Sequence, residues 1–283
     1  MSGSPASIAE KRRTFRALHQ SGCFVIPNPW NVGTARYLEG LGFKALATTS
    51  SGYAHAQGLA DGEASRDMVL GHYREIVAAT NIPVNADFES GFADDPDAVA
   101  ENVRLCIATG VAGLSIEDFT GDRDKPLYDF DLALARVRAA RAAIDKAGGD
   151  VVFTARTEGF IRGRPDMDET IRRLRAFADA GADCLYPPGI KTREQIETVV
   201  KAVAPHPVNL LLSAAIGFTV ADIAAMDVRR ISVGGTLARV AMHAFVRSAR
   251  EIAEYGTFDS FAGVMSNSDL NAFFNKDKAR RPA

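Results

Sequence analysis

Short apolar runs alternate with longer amphipathic segments along most of the chain. Runs of three to five mainly apolar residues between helix-like segments are typical of strands in a parallel sheet. Several of the segments between them end in glycine, as at Gly42, Gly110 and Gly181, which is a common way for a helix to end. The predicted strands cover residues 24–26, 45–48, 84–87, 113–116, 151–155, 184–186, 208–211 and 231–233.

The segments between the strands carry apolar residues at helical spacing. After an amphipathic helix near the start of the chain, the predicted helices cover residues 32–42, 65–80, 95–110, 129–148, 166–181, 192–204 and 219–227. Eight strands alternating with helices predict a (β/α)8 TIM barrel. A doubly wound sheet is the alternative, but no G-x-G-x-x-G follows the first strand. The Gly-Gly turn in "SVGGTLAR" is typical either of a phosphate-binding turn or of a tight turn alone.

The remainder of the chain predicts a helical extension of the same domain. We interpret residues 1–283 as one barrel domain and residues 240–283 as its C-terminal helical extension, because no linker marks a second domain. Five phenylalanines in the extension need a surface to cover, either on their own barrel or on a neighbouring subunit. They are Phe245, Phe258, Phe261, Phe273 and Phe274.

Composition narrows the class of protein. The chain is 47% hydrophobic and 24% charged, which is ordinary for a globular enzyme. A net charge of −2 argues against a general nucleic-acid binder. Cys23, Cys106 and Cys184 show no paired spacing and fit core residues in a reducing compartment. Without an apolar run of membrane-spanning length, we expect no membrane partner and a cytoplasmic location.

Polar residues collect where the predicted strands end. Barrel enzymes work from the carboxyl ends of their strands, so these residues predict a site at one face of the barrel. The candidates are Asn28 and Trp30 after the first strand, Thr48 to Gly52 after the second, Asn85 and Asp87, Glu117 and Asp118, and Arg156 and Glu158.

The acids and the arginine in this set suggest one kind of chemistry. Asp87 and Glu117 follow adjacent strands and could share a cation, and carboxylates without histidine or cysteine suit Mg²⁺ or Mn²⁺. Arg156 would bind a substrate carboxylate at two points. Such a set suits the enolate of a small anionic oxo-acid. The alternatives are structural, with Asp87 as a helix N-cap and Arg156 paired with Glu158 or Glu117.

The motifs and their order resemble the isocitrate lyase and phosphoenolpyruvate mutase superfamily. The likeness runs from "IPNPWNVGTARYLEGLGFKALATTSSG" through "IPVNADFESGF", "GVAGLSIEDFTG" and "VFTARTEGF" to "ADAGADCLYPPG". That superfamily carries the signature D-x-D-x-G-[YF]-G after its third strand, and this chain reads "NADFESGF" at the same place. In this comparison Asp87 matches the second signature acid, Asn85 replaces the first, and Glu89 is left as a loop residue.

The resemblance implies roles for individual residues. Asp61, Asp87 and Glu117, with Asn85, would hold Mg²⁺ or Mn²⁺, and Arg156 would grip the acidic group of the substrate. Asp87, Glu117 and Arg156 are accordingly the predicted catalytic residues. Thr49 and Ser50 would hold the oxo-acid, and Gly52 and Trp30, from their place at the strand ends, are the other residues predicted to contact the substrate. Relatives exchange their last helix between subunits, which implies a homodimer or homotetramer.

Departures from the superfamily pattern narrow the expected reaction. Lyases of this group carry K-[KR]-C-G-H after the fourth strand, whereas this chain reads "FTGDRDKPLYD" there, and Pro187–Pro188 replaces a Pro-Glu pair. We expect a Mg²⁺-dependent enzyme that cleaves a C–C bond of a small α-oxo-acid or substituted malate through a metal-stabilised enolate, as in oxaloacetate decarboxylation or malate-type cleavage. The alternatives are P–C chemistry, as phosphonopyruvate hydrolase or phosphonomutase, and a catalytically inert binding barrel.

Overall fold

Eight parallel strands follow one another around a central axis in the computed structural model, which describes residues 6–281. Each strand pairs in parallel with its neighbour, and the inward-facing side chains lie on alternate residues. The strands are β1 (Phe24–Ile26), β2 (Leu46–Ala47), β3 (Val84–Asp87), β4 (Gly113–Glu117), β5 (Val152–Arg156), β6 (Cys184–Tyr186), β7 (Asn209–Leu211) and β8 (Arg230–Ser232).

Short contacts of a few hydrogen bonds close the barrel at two junctions. Strands β2 to β6 form one continuous sheet, and β1, β8 and β7 form another. Between β1 and β2, the Ala47 amide donates to the Pro27 carbonyl at 3.1 Å. Between β6 and β7, the Leu185 amide donates to the Pro207 carbonyl at 2.9 Å. The ring of eight strands confirms the predicted TIM barrel.

Helices cover the outside of the ring and confirm the seven predicted between strands. They are α1 (Ile8–Leu18), α2 (Val32–Gly40), α3 (Ser50–Ala56), α4 (Arg66–Ala79), α5 (Pro96–Ile107), α6 (Phe130–Lys146), α7 (Met167–Asp179), α8 (Arg193–Val203), α9 (Val220–Ala224), α10 (Thr236–Tyr255) and α11 (Asn267–Arg280). The sequence did not predict α3, because this helix of seven residues is too short to show a period. It begins where Thr49 accepts a hydrogen bond from the Gly52 amide.

Helix α1 closes the amino-terminal end of the barrel. Phe15 is fully buried there and packs in one cluster with Ile26 and Val152. Gly113 makes this packing possible, because a Cβ at that position would lie 2.5 Å from the Phe15 ring. The barrel floor therefore depends on a glycine that lets a helix side chain enter between the strands.

The His19 ring at this floor predicts a pH dependence of stability. Its Nδ1 lies 2.8 Å from the Phe15 carbonyl and must donate, so its Nε2 accepts from Arg230. Burial, reinforced by the charge of Arg230, lowers the pKa of His19 to about 3. The unfolded chain takes up this proton near pH 6.5 and the folded chain only near pH 3, so stability is complete above pH 6.5 and falls below it.

We expect the free energy of unfolding to fall by at most about 1.4 kcal/mol for each pH unit below pH 6.5 because of His19. The measurement is the free energy of unfolding in urea at pH 7 and pH 5. His19→Gln should show a smaller difference between the two pH values than the wild type. His206→Gln, which changes a histidine outside the barrel, should keep the wild-type difference. An unchanged difference in His19→Gln would contradict the assignment.

The helical extension packs on the barrel only in part. The Phe273 ring lies 4.5 Å from that of Tyr37 on α2. Phe245, Phe258 and Phe261 are instead 67%, 58% and 50% exposed, on or after α10. Exposed apolar surface of this kind is typical of a subunit interface. The homodimer or homotetramer with an exchanged helix stays a prediction. The single-domain assignment of residues 1–283 also stays a prediction.

None of the helices within residues 6–281 has the length and apolar character needed to cross a bilayer.

Candidate active site

A cavity of about 420 Å³ opens at the carboxyl ends of the strands. Its wall combines hydroxyl, amide, acidic and basic side chains from most of the strands. Of the predicted site residues, the cavity brings together Thr49, Ser50, Asp61, Asn85, Asp87 and Arg156. The carboxyl-end rule for barrels accounts for the strand-end residues in this set, to which the cavity wall adds Asn28, Thr48, Ser51 and Glu158, whereas Asp61 reaches the cavity from the loop after α3.

Asp87 is held in place by groups from three segments. It is the last residue of β3, and its Oδ2 accepts from both the amide and the hydroxyl of Ser50 at 2.9 Å. Its own amide donates to Thr48 Oγ1 at 2.9 Å, and its carbonyl accepts from Tyr73 at 2.6 Å. These contacts fix the Asp87 carboxylate toward the cavity.

Arg156 lies among three carboxylates. Its Nη1 is 3.1 Å from Glu117 and 3.4 Å from Asp87, and its Nε is 2.5 Å from Glu158. Burial raises the pKa of Glu117, and the charge of Arg156 opposes that rise. Arg156 therefore serves as the counter-ion of the strand-end acids, and its pairing with Glu117 and Glu158 is the structural alternative foreseen from the sequence.

Glu89 is a further acid close to Asp87, although the sequence interpretation left it as a loop residue. It follows β3 with a left-handed φ of 47°, and its Oε1 is buried without a hydrogen-bond partner among the described residues. Burial raises its pKa to about 8, and the charges of Asp87 and Asp61 add to the rise. The one trace of it in the sequence is its spacing, since Glu89 follows Asp87 by two residues in D-F-E-S-G-F, residues 87–92.

Asp61 completes this cluster at the cavity mouth. Its side chain still meets solvent, but the surrounding protein removes part of its hydration and raises its pKa, with Asp87 adding to the rise. Asp61, Asp87 and Glu89 thus lie near enough to repel one another. We refer to these three residues as the acid cluster.

The acid cluster suits a hard divalent cation by its chemistry. All its donors are carboxylate oxygens, and the unpartnered Glu89 Oε1 is an oxygen that a cation would satisfy. Within residues 6–281, no three His, Cys, Asp or Glu side chains already meet in an arrangement that could hold a metal. Cation binding would therefore require the Asp87 carboxylate to give up its contact with Arg156 and to bind the cation in its place.

Three predicted site residues lie behind the cavity wall. Glu117 is 8% exposed and contacts the cavity through Arg156. Gly52 packs tightly, since a Cβ there would lie 2.7 Å from the Thr49 methyl and 3.3 Å from Trp30 Cβ. Neither Gly52 nor Trp30 is among the cavity-lining residues, so both shape the hydroxyl-bearing turn from behind.

A buried ion pair supports the ends of β4 and β5. Asp118 accepts from the Thr157 hydroxyl and the Glu158 amide, both at 2.8 Å, and from Arg173 at 3.1 Å. Arg173 also donates to Glu169 at 2.7 Å. This network holds Glu158, and through it Arg156, in position.

The loop between β4 and α6 folds against the loop after β5. Phe119 and Leu127 form an antiparallel bridge that closes the first loop on itself. The Arg162 guanidinium stacks 3.5 Å from the centre of the Phe119 ring, and Arg164 donates to the Asp124 carbonyl at 3.3 Å. Arg162 also lines the cavity, so the loop after β5 forms one side of the mouth and the loop after β4 supports it from behind.

An acid-rich cavity at the carboxyl ends of eight parallel strands defines a barrel of the enzyme type. The family model described as phosphoenolpyruvate phosphomutase matches residues 15–253. A solved structure from Burkholderia cenocepacia, described in general terms as a lyase/mutase, is 45% identical with a TM-score of 0.91, over 95% of this chain and 97% of that one. An uncharacterised protein of Mycobacterium tuberculosis is 30% identical, over 85% of this chain and 89% of its own length.

The chain belongs to the phosphoenolpyruvate phosphomutase family, within the isocitrate lyase/PEP mutase superfamily, which confirms the resemblance seen in the sequence. Two further solved structures differ in their chemistry. A 2,3-dimethylmalate lyase is 26% identical with a TM-score of 0.84, over 97% of both chains. A phosphonopyruvate hydrolase solved with oxalate and Mg²⁺ is 27% identical with a TM-score of 0.83, over 95% of this chain and 96% of that one.

Proposed function

We propose that this protein is a Mg²⁺- or Mn²⁺-dependent enzyme that cleaves a C–C bond in a small α-oxo-acid or substituted malate through an enolate. The observation that carries the proposal is the acid cluster, whose three carboxylates repel one another beside the hydroxyls of Thr49 and Ser50. Repelling carboxylates with an unsatisfied oxygen are stabilised by a hard cation.

The acid cluster would hold the cation, with Glu89 in the role that the sequence comparison assigned to Asn85. When bound, such a cation polarises the oxo-acid and stabilises the negative charge that develops on it. Ser50 would hold Asp87 toward the cavity through its two hydrogen bonds. Glu117 and Glu158 would hold Arg156 at the wall, where its guanidinium would donate hydrogen bonds to the substrate carboxylate.

The loops around the cavity mouth support a small substrate. Arg162 and Phe119 hold these two short loops together beside the cavity. The 2,3-dimethylmalate lyase among the similar structures supports C–C cleavage, and the phosphonopyruvate hydrolase supports P–C cleavage as the second candidate. Both reactions need the same clamp on the oxo-acid, so the products distinguish them.

A thermal-shift assay followed by a substrate panel tests the proposal. Oxalate mimics the enolate of pyruvate, so Mg²⁺ and oxalate together should raise the Tm more than the sum of their separate effects. Saturation at one hundred times Kd corresponds to about 2.7 kcal/mol. Oxaloacetate, substituted malates and phosphonopyruvate are then compared by product analysis with Mg²⁺.

The outcomes separate the three candidate functions. Release of a carboxylic acid or CO₂ supports C–C cleavage, whereas release of phosphate, or conversion of phosphonopyruvate to phosphoenolpyruvate, supports the P–C alternative. A protein that shows neither a joint shift nor turnover of any substrate is an inert barrel, and the proposal is then wrong.

A further inference from the structure

A buried arginine lies at the floor of the cavity. Arg230 is the first residue of β8 and is 3% exposed. Its Nε donates to Asn209 at 2.8 Å, its Nη2 to Thr154 at 3.0 Å and its Nη1 to His19 at 3.3 Å. All three acceptors are neutral, since His19 keeps its single proton on Nδ1 for the Phe15 carbonyl.

Arg230 is therefore a buried cation without an acidic partner. Across residues 6–281 no carboxylate forms an ion pair with it, whereas Arg156 pairs with three. Buried charges are normally paired, because an isolated charge loses its hydration at a cost of several kcal/mol. A guanidinium has five N–H groups, so three neutral acceptors leave about one unused N–H on each terminal nitrogen.

Asn85 is the second unsatisfied group in this part of the cavity. It is 3% exposed, and its Nδ2 donates to the Ala86 carbonyl at 3.1 Å. Its Oδ1 is buried and has no donor among the described residues. Asn85 precedes Asp87 by two residues on β3, so it lies about 7 Å deeper in the barrel. Asn85 and Arg230 line the same cavity as Asp87, which therefore continues below the acid cluster to a polar floor.

We propose that this floor, formed by Arg230, Asn85 and Asn209, binds the distal carboxylate of a dicarboxylic ligand whose other end lies at the acid cluster. The carboxylate would accept the free N–H groups of Arg230 and balance its charge. This inference rests on the proposed function, which places the other end of the ligand at the acid cluster. It adds the prediction that the site selects ligands with a second carboxylate.

The floor site distinguishes ligands by their second charge. Arg156 is balanced by its own acids, whereas Arg230 has none. A ligand whose single carboxylate lies at the acid cluster leaves Arg230 without an anion. A ligand that reaches from the acid cluster to the floor pairs its second carboxylate with Arg230. The proposed substrate class is therefore a four-carbon di-acid with a 2-oxo group, in preference to shorter or singly charged oxo-acids.

A purely structural role for Arg230 makes a different prediction. Its hydrogen bonds connect β8 with His19 beyond α1, Thr154 on β5 and Asn209 on β7, so their loss would loosen the whole barrel floor. All ligands would then bind more weakly by the same factor. An anion site predicts a loss confined to ligands that carry the second carboxylate.

Calorimetric titration of Arg230→Gln tests the floor site on the full chain with Mg²⁺. The probes are oxalate, which is too short to reach the floor, and 3,3-difluorooxaloacetate, which carries a distal carboxylate. We expect the Kd of difluorooxaloacetate to rise about 10- to 100-fold and that of oxalate to stay within about twofold. Arg229→Gln, a matched loss of charge next to it and outside the cavity, should leave both constants within about twofold.

Equal weakening of both probes, or no weakening of either, overturns the proposal. If Arg230→Gln does not fold, Asn85→Asp replaces it, because an added negative charge at the floor should repel the distal carboxylate and produce the same selective loss. Unchanged selectivity in Asn85→Asp likewise overturns it.

Formate distinguishes a free anion from a carboxylate of the ligand. If formate raises the Tm of the wild type and not of Arg230→Gln, while both bind difluorooxaloacetate equally, the floor holds a small free anion and the assignment to the ligand is wrong. Failure of the proposed function is separate, since it appears as oxalate binding that Mg²⁺ does not strengthen.

Discussion

Replacing Asp87 with asparagine is expected to lower kcat/KM by about 10³-fold for the substrate that the panel identifies. The Asp87 carboxylate is central to the acid cluster and also contacts Arg156 at 3.4 Å. The amide keeps the shape and can still accept from Ser50, but it carries no charge for a cation. The joint rise in Tm with Mg²⁺ and oxalate should disappear.

The stability of Asp87→Asn should not fall together with its activity. Removing one charge from three repelling carboxylates should leave the free energy of unfolding within about 1 kcal/mol of the wild type or raise it. Asp97→Asn, at an exposed position in the first turn of α5, is the matched control and should keep full activity. An Asp87→Asn protein that retains wild-type kcat/KM and the joint thermal shift would exclude Asp87 from the site.

Replacing Arg173 with methionine is expected to cost about 3–5 kcal/mol of stability. Arg173 is 6% exposed and donates to Asp118, which is 3% exposed. Without the guanidinium, the Asp118 carboxylate stays buried with only the Thr157 hydroxyl and the Glu158 amide as donors. The measurement is the free energy of unfolding from urea denaturation.

A surface ion pair gives the matched comparison. The Arg193 and Glu197 side chains are 49% and 52% exposed, so Arg193→Met should cost less than about 0.5 kcal/mol. Adding Asp118→Asn to Arg173→Met should restore part of the loss, because it removes the unpaired charge. A loss below about 1 kcal/mol in Arg173→Met alone would show that the buried pair does not support this end of the barrel.

The eight strands were predictable because each apolar run lies between amphipathic segments. Every observed strand begins and ends within one residue of its prediction. Glycine at positions 42, 110 and 181 does adopt left-handed φ angles of 92°, 89° and 97° after the preceding helix. Helix α3 was missed because its capping residue, Thr49, reads in the sequence as part of a hydroxyl-rich strand end.

The approach of Asp87, Glu117 and Arg156 was also predictable, because the carboxyl ends of parallel strands meet at one end of a barrel. Glu89 was not assigned to the site, because strand alternation alone does not show where a side chain points after the strand ends. The left-handed backbone at Glu89 turns its side chain back toward Asp87 and Asp61. A non-glycine residue in that conformation cannot be recognised from its type.

The sequence by itself determined the order of strands and helices, the barrel, and the end of the barrel at which acids collect. These features depend on local periodicity and on the direction of the strands. Only the tertiary structure decided which charges are balanced. Within residues 6–281, Arg156 meets three acids, whereas Arg230 meets only neutral groups on distant segments such as Thr154 and His19. Contacts across the barrel interior depend on how its layers pack, which local pattern does not encode.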